Sequence, residues 1–229
     1  MASVLNRPTT HLLIKAFGHL SPLTLAQLQE IFFERRYRAG EAIFLQGDAA
    51  KSIYVVVEGR VKIDRVTPDG NHCILCMRGQ NETFCPVPLL DQGRQLGTAW
   101  ALTDVTLLSA DINEFRRVAA ECPQLLAVVQ HGCLLEVRRL LGRMEMYAFR
   151  SVRERVASML LEESRRRGFM DKPANELRMT QQDLAGLVGA SRESVSRTLS
   201  KMEQEGILQT KRGRIIILDR EKLRAIVAP

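Results

Sequence analysis

Residues 179–218 read "MTQQDLAGLVGASRESVSRTLSKMEQEGILQTKRGRIIIL", and this stretch decides the fold. Thr180 precedes one run of apolar residues at helical spacing, Gly189 follows that run, and Ser191 precedes a second run. Threonine and serine are favoured caps of helix N-termini, and glycine suits the tight turn between two helices. Residues 207–218 then alternate between apolar and other side chains around a basic tip at 211–213. The stretch therefore predicts a winged helix-turn-helix, in which a hairpin follows the second helix.

The second helix of this stretch has two different faces. Val195, Leu199 and Met202 fall on one face at helical spacing, which predicts that they are buried. The exposed face near the N-terminal end carries the predicted base-reading residues Arg192, Glu193, Ser196 and Arg197. Arginine can donate two hydrogen bonds to guanine, and glutamate can accept one from the cytosine amino group. The alternative interpretation is a solvated charge array at i, i+4 spacing on an ordinary helix.

The charge of the chain is concentrated in the same region. Residues 150–229 carry 17 Lys and Arg against 11 Asp and Glu, whereas residues 1–149 carry 16 against 15, within a total net charge of +7. A compact basic segment indicates an acidic partner, and double-stranded DNA is the partner that the predicted motif favours. A solvated cationic face is the alternative.

The spacing of apolar residues before this segment differs between the β-rich part of the chain and the helical parts. From Tyr37 to Leu108, short apolar runs are punctuated by glycine, which predicts a small antiparallel β-roll, with Pro68-Asp69-Gly70 as one of its turns. Ser21 and Pro22 resemble the cap and first turn of a helix that precedes the roll. We therefore expect an α+β protein: a β-roll domain with an N-terminal helix at 1–122, a dimerisation helix at 123–149, and the winged helix-turn-helix domain at 150–229.

The long helix after Pro123 carries a heptad pattern. Its predicted dimer seam comprises Leu126, Cys133, Val137, Leu140, Met144 and Tyr147. A seam sustained over three heptads favours a parallel coiled coil and hence a homodimer. One helix packed on its own roll is the alternative, and Gly132 and Gly142 weaken the helix slightly.

Two stretches resemble one protein family. "LAGLVGASRESVSRTLSKMEQEGIL" (184–208) resembles the DNA-binding domain of the Crp/Fnr family of bacterial transcription regulators, and "AGEAIFLQGDAAKSIYVVVEGRVKIDRVTPDG" (39–70) resembles the β-roll of its effector domain. The resemblance implies that the β-roll is a cyclic-nucleotide-binding-like sensor domain. It also implies a homodimer that contacts RNA polymerase and binds a palindromic operator with half-sites about one helical turn apart. Ser196 beside Arg197 resembles the Glu-x-x-Ser-Arg form of the Fnr branch, which implies a half-site near TTGAT or TGTGA. The expected phosphate contacts are Thr180, Gln181, Gln182, Ser191 and Lys211.

The effector pocket departs from the cyclic-AMP receptors of that family. Those receptors bind the nucleotide through a Gly-Glu-Leu turn and an Arg-Ser pair, and burial of a phosphate needs such donors. The matching positions here are Cys85-Pro86-Val87 and Leu96-Gly97, with Arg94 displaced. Leu140 and Leu141 stand where those receptors place a Thr-Ser pair against the adenine. We therefore expect an effector other than cyclic AMP.

Three of the five cysteines lie in "HCILCMRGQNETFCP" (72–86). Cys73, Cys76, Cys85 and Cys122 are candidate iron–sulfur ligands, but a strand directs residues three apart to opposite faces, so Cys73 and Cys76 are interpreted as buried small side chains. Phe84-Cys85 resembles the Phe-Cys pair with which carbon-monoxide-sensing haem members of the family supply an axial thiolate, although Val87 replaces their histidine. The sequence leaves several possibilities for the effector: haem bound at Cys85, another small ligand, a redox response of the thiols, or a dimer that is active without an effector. A redox- or gas-sensing protein whose main role is cofactor chemistry is the alternative to a regulator.

Other classes of protein are not expected. The sequence contains no Ser-His-Asp constellation, paired-carboxylate motif or phosphate-binding glycine loop, so we predict no enzyme. It contains neither a run of about 20 apolar residues nor a signal-peptide pattern, which predicts a cytoplasmic protein without a membrane partner.

Overall fold

A computed structural model describes residues 9–66, 72–84, 86–166 and 175–227. The chain divides into two compact units, Met1–Arg138 and Arg139–Pro229. The first unit begins with two helices, α1 (Thr10–Phe17) and α2 (Pro22–Ile31). Its strands are β1 (Phe32–Tyr37), β2 (Ala42–Phe44), β3 (Ser52–Glu58), β4 (Val61–Val66), β5 (His72–Arg78), β6 (Thr83–Phe84), β7 (Thr98–Ala101) and β8 (Val105–Asp111). A short helix α3 (Pro86–Asp91) follows β6, and helices α4 (Ile112–Glu121) and α5 (Pro123–Phe149) follow β8.

The strands form two four-stranded antiparallel sheets, in the orders β1-β8-β3-β6 and β2-β7-β4-β5. This arrangement confirms the predicted β-roll, and the 27-residue helix α5 confirms the predicted long helix. The expected cap of α2 is also present, because the Ser21 hydroxyl accepts a hydrogen bond from the Thr24 backbone at 3.1 Å and Pro22 occupies the first turn. The predicted turn Pro68-Asp69-Gly70 lies outside the described residues.

Apolar side chains from both sheets fill the roll. Tyr54 and Phe84 stack with ring centroids 4.9 Å apart, and Phe44 packs on Tyr54 at 5.8 Å. Phe84 is completely buried. The cluster around these rings includes buried residues from β3, β4, β5, β7 and β8: Val56, Val61, Ile63, Cys76, Ala99, Ala101, Val105 and Leu107. The interior of the roll is therefore filled by its own aromatic and aliphatic side chains.

A second core lies between the helices and the sheet that contains β1. Phe17, Phe32 and Phe115 meet there, with ring centroids 5.6 to 6.0 Å apart. Leu125 and Val129, from the first turns of α5, are buried in the same cluster. The beginning of α5 is thus part of the first unit's core.

The second unit contains the remaining residues of α5 and the DNA-binding elements. They are α6 (Val152–Arg166), β9 (Glu176–Arg178), α7 (Gln181–Val188), α8 (Arg192–Gln204), β10 (Leu208–Lys211), β11 (Arg214–Ile217) and α9 (Arg220–Ala225). The three strands form an antiparallel sheet in the order β10-β11-β9. Helices α7 and α8 and the β10–β11 hairpin confirm the predicted winged helix-turn-helix.

Among the described residues, no single helix is long and apolar enough to cross a membrane; only α4 and α5 taken together, with a bend of 119° between them, reach that length and composition.

Candidate DNA-binding site

Helix α7 and the turn after it form as the sequence predicts. The Thr180 hydroxyl accepts a hydrogen bond from the Asp183 backbone at 3.0 Å, and the Asp183 carboxylate accepts from the Thr180 backbone at 3.2 Å. The two residues therefore make a reciprocal capping box. Gly189 ends the helix in the left-handed conformation, with φ of 60°. Glycine adopts this conformation without the steric cost that a Cβ imposes.

Helix α8 presents the predicted base-reading residues to solvent. Ser191 caps its N-terminus by accepting from the Ser194 backbone at 3.2 Å, and Val195, Leu199 and Met202 are all buried. Arg192, Glu193 and Arg197 are exposed, and Ser196 is half-buried. The helix therefore turns its apolar face to the core and its polar face outwards.

The three charged residues on that face have no partner among the residues that the structure describes. Glu193 and Arg197 do not pair with each other, although they stand at i, i+4 spacing. Other arginines of the same unit do form ion pairs, among them Arg153–Glu205, Arg214–Glu176 and Arg224–Glu221. Because Glu193 and Arg197 form no ion pair with each other, the donors and acceptors of α8 face solvent and are available to a ligand.

The hairpin after α8 carries cations and is tied to the helix. Gly213 turns it with φ of 71°, and Lys211 and Arg212 at its tip are exposed. Glu203 of α8 accepts two hydrogen bonds from Thr210 of β10, from the backbone at 2.8 Å and from the hydroxyl at 3.0 Å. The sequence reasoning did not identify Glu203, because the contact joins residues that only the hairpin geometry brings together.

The residues expected to contact phosphate differ in whether their hydrogen-bond donors are already used within the protein. Both donors of Thr180, its backbone N–H and its hydroxyl, point to the Asp183 carboxylate, at 3.2 and 2.7 Å. The Ser191 hydroxyl lies 3.0 Å from that of Ser194. Gln182 and Lys211 are exposed, and Gln181 is half-buried. Thr180 and Ser191 therefore shape the helix ends, whereas the side chains of Gln181, Gln182 and Lys211 make no hydrogen bond or ion pair with the part of the chain that the structure describes.

Helix α5 exposes a row of apolar side chains. The most exposed members on 3-4 spacing are Leu134 (61%), Val137 (50%), Leu141 (59%) and Met144 (65%). Of the other predicted seam residues, Leu140 is exposed, Leu126 and Cys133 are half-buried, and Tyr147 donates its hydroxyl to the Leu187 carbonyl at 2.9 Å. The free apolar face thus includes Leu134 and Leu141 beside part of the predicted seam.

The cysteines that the structure describes are separated by their burial. Cys76 is buried in the roll, as expected, but Cys73 is exposed, so its interpretation as a buried side chain is wrong. Cys73 pairs with Arg65, next to the last residue pair before the segment that connects β4 to β5. Residues three apart in a strand point to opposite faces, so with Cys76 directed into the core Cys73 lies on the outer face. Among the described residues, no group of three His, Cys, Asp or Glu side chains could hold a metal. Cys85, the candidate haem thiolate and cluster ligand, lies outside the described residues.

Cys133 on α5 has a thiol that resists ionisation. Burial, with the nearby carboxylates of Glu136 and Asp91, raises the pKa of the Cys133 thiol. A thiol with a raised pKa carries little thiolate at neutral pH, which makes it a poor nucleophile and a poor metal ligand. Cys133 therefore serves as a small, partly buried side chain.

Comparison with known proteins matches both the β-roll and the helix-turn-helix of this chain to domains of one family of regulators. Residues 34–122 match the model of the cyclic nucleotide-binding domain, and residues 154–226 match that of the Crp-like helix-turn-helix domain. The nitrogen fixation regulation protein FixK of Bradyrhizobium diazoefficiens is 32% identical over 221 residues, which cover 94% of this chain and 92% of that protein. The cyclic AMP receptor protein of Thermus thermophilus is 32% identical over 213 residues, which cover 92% and 95%. The solved structure of FixK2 from Bradyrhizobium japonicum superposes with a TM-score of 0.76 at 25% identity, covering 87% of this chain and 98% of that one.

Proposed function

Because this chain belongs to the Crp/Fnr family of transcription regulators, we propose that it binds a palindromic operator as a homodimer. The helix-turn-helix is its DNA-binding domain. Two copies of α8 would enter successive major grooves, with half-sites about one helical turn apart. The regulator acts in the cytoplasm, contacts RNA polymerase and catalyses no reaction.

One observation carries the proposal: Arg192, Glu193 and Arg197 are exposed on a capped helix and have no partner among the described residues. An arginine that is not engaged in an ion pair can donate two hydrogen bonds to guanine, and a free glutamate can accept from cytosine. Both TTGAT and TGTGA contain a G·C pair within the half-site, so we propose a half-site near one of these sequences. Lys211, Gln181 and Gln182 supply phosphate contacts that set the orientation of the domain.

The proposed dimer pairs the exposed apolar face of α5. Leu134, Val137, Leu141 and Met144 lie on the spacing of a coiled-coil seam and are between 50% and 65% exposed. A contiguous apolar row of this kind marks an interaction surface in a protein that acts in water. A second copy of the same helix is the occupant that the heptad spacing favours.

We also propose that the effector is not cyclic AMP. Several relatives are named for that nucleotide, but their identity to this chain is only 24 to 32%. At the positions where such receptors hold the phosphate, this chain has Cys85-Pro86-Val87 and Leu96-Gly97. The stacked rings of Phe44, Tyr54 and Phe84 occupy the core of the roll. An alternative function, redox or gas sensing by haem or an iron–sulfur cluster at Cys85, would be recognised by a visible absorption spectrum of the purified protein.

Selection of duplex DNA from a random pool tests the proposal. The expected result is a palindrome with half-sites near TTGAT or TGTGA, recovered equally with and without cyclic AMP. Arg197→Ala should weaken binding by about 1–3 kcal/mol and relax the preference at one base pair. Arg224→Ala, which removes an arginine paired with Glu221 in α9, is the matched control and should leave the selected sequence unchanged. An unrelated motif would refute the half-site, and dependence on cyclic AMP would refute the effector proposal.

A further inference from the structure

The C-terminal end of α7 is held by two side chains from outside the helix-turn-helix, Tyr147 and Arg155. We propose that both are positioning residues for DNA recognition, because they fix the turn that leads into α8. The inference rests on the proposed operator binding. The last turn of α5 would then position the recognition helix, a role that the family resemblance does not assign to it.

A helix leaves its last carbonyl groups without partners inside the helix. In α7, the backbone N–H groups of Gly189 and Ala190 both donate to the Ala185 carbonyl, at 3.2 Å for Ala190. This pattern accompanies a left-handed glycine at a helix end. The carbonyls of Leu187, Val188 and Gly189 therefore take their donors from elsewhere.

Tyr147 and Arg155 supply these donors. The Tyr147 hydroxyl donates to the Leu187 carbonyl at 2.9 Å. Nη1 of Arg155 donates to the Val188 carbonyl at 2.8 Å and to the Gly189 carbonyl at 3.1 Å. A cation at this place also interacts favourably with the negative end of the helix dipole.

The Tyr147 ring adds a second kind of contact. A Cβ at Gly189 would lie 3.2 Å from Cε1 of this ring, so the glycine backbone rests directly on the tyrosine. The Arg155 guanidinium lies over the same ring, 5.6 Å from its centroid, within the range of a cation–π interaction. We call Tyr147, Arg155 and the backbone of residues 187–189 the turn clamp.

The clamp lies directly before the base-reading residues. Gly189 stands two residues before Ser191, the cap of α8, and three before Arg192. Because the turn is short and its carbonyls are held, a displacement of Tyr147 moves the start of α8. Tyr147 belongs to the last turn of α5, the helix whose pairing would set the distance between two recognition helices. The turn clamp thus couples the position of α5 to the position of α8. The distance between the two copies of α8 in turn sets the spacing of the operator half-sites that the protein prefers.

The test measures how sharply the protein discriminates half-site spacing. Full-length protein is titrated against duplexes that carry the half-site selected for the wild type, with spacers one and two base pairs shorter or longer than the optimum. Tyr147→Phe removes only the hydroxyl, and Arg155→Lys removes the two-carbonyl contact while it keeps the charge. For each variant, the preference for the optimal spacing should fall about threefold to tenfold, the equilibrium worth of one or two hydrogen bonds. The optimum becomes flatter, while the base preference within each half-site is kept.

Ser164→Ala is the matched control. It removes a buried hydroxyl of the same unit that accepts from Arg220 at 2.7 Å, far along α6 from the turn clamp. General destabilisation lowers the active fraction equally for every duplex, so it cannot change a ratio between spacings. A sharp optimum in the wild type with the same optimum in both clamp variants would overturn this inference alone. Wild-type protein that bound no duplex specifically would overturn the proposed function and the inference together.

Discussion

At the scale of single residues, Arg78 is a buried charge that links strand β5 to helix α5. It is a buried arginine in β5 whose Nη2 donates to Glu136 of α5 at 2.7 Å, while its Nε donates to the Thr83 carbonyl at 3.2 Å. Burial lowers the pKa of Arg78, but Cys76, Glu136 and Glu82 together raise it by more, so the pKa of Arg78 lies above the ordinary value. The guanidinium is therefore always charged, and Glu136 is the ion partner that makes its burial tolerable.

Glu136→Gln should destabilise the roll by about 1–3 kcal/mol, because a hydrogen bond to a buried charge is lost or weakened. Urea unfolding followed by the fluorescence of Trp100, the single tryptophan, reports on the roll directly. Glu145→Gln, the same change at an exposed position of the same helix, should have almost no effect. The double variant Arg78→Met, Glu136→Leu should recover most of the loss, and equal losses in all three variants would contradict this account.

At the scale of elements, helix α6 begins with a capping box that makes its stability depend on pH. Ser151 donates its backbone N–H and its hydroxyl to the Glu154 carboxylate, at 2.8 and 2.6 Å. These two hydrogen bonds lower the pKa of Glu154 in the folded protein. A carboxylate with a lowered pKa contributes stability that is complete above its unfolded pKa and is lost as the pH falls through the folded pKa.

The second unit should therefore lose stability as the pH falls below about 4.3, the ordinary value for glutamate, and Glu154→Gln should reduce this slope. Circular dichroism of urea unfolding at a series of pH values measures it. Glu162→Gln serves as the control, since this glutamate of the same helix makes no hydrogen bond among the described residues. An unchanged slope in the Glu154 variant would mean that other carboxylates dominate the acid response.

Elements defined by local signals were predictable from the sequence, and those defined by distant partners were not. Thr180, Gly189 and Ser191 each act through neighbours three or four residues away, so their pattern predicted both helices and the turn. Strand β9 consists of three residues and exists only because β11 pairs with it. The sequence between positions 149 and 180 contains no comparable signal for that strand. The exposure of Cys73 follows from its local strand geometry, because residues three apart face opposite sides and Cys76 is the one that is buried.

At the scale of the whole molecule, the heptad pattern predicted a long helix but not which of its sides is exposed. The first turns of α5 bury Leu125 and Val129 in the core of their own unit, which uses part of the apolar surface. The Tyr147 hydroxyl is engaged by the helix-turn-helix. A repeat of seven residues cannot distinguish these intramolecular contacts from a seam between copies, because both require apolar side chains at helical spacing.

The proposed dimer should therefore depend on Leu141, which is 59% exposed at the middle of the free apolar face. Leu141→Glu places an unpaired carboxylate in the proposed seam of both copies, at a cost of about 3 kcal/mol or more. The dimer dissociation constant should rise at least about a hundredfold, and binding to a full operator should fall with it, because a palindrome is read by two copies. Sedimentation equilibrium measures the first effect and duplex titration the second. Leu23→Glu makes the same substitution at a 71% exposed leucine of α2 and should change neither. A Leu141→Glu protein that stayed dimeric would place the contact between copies on another surface.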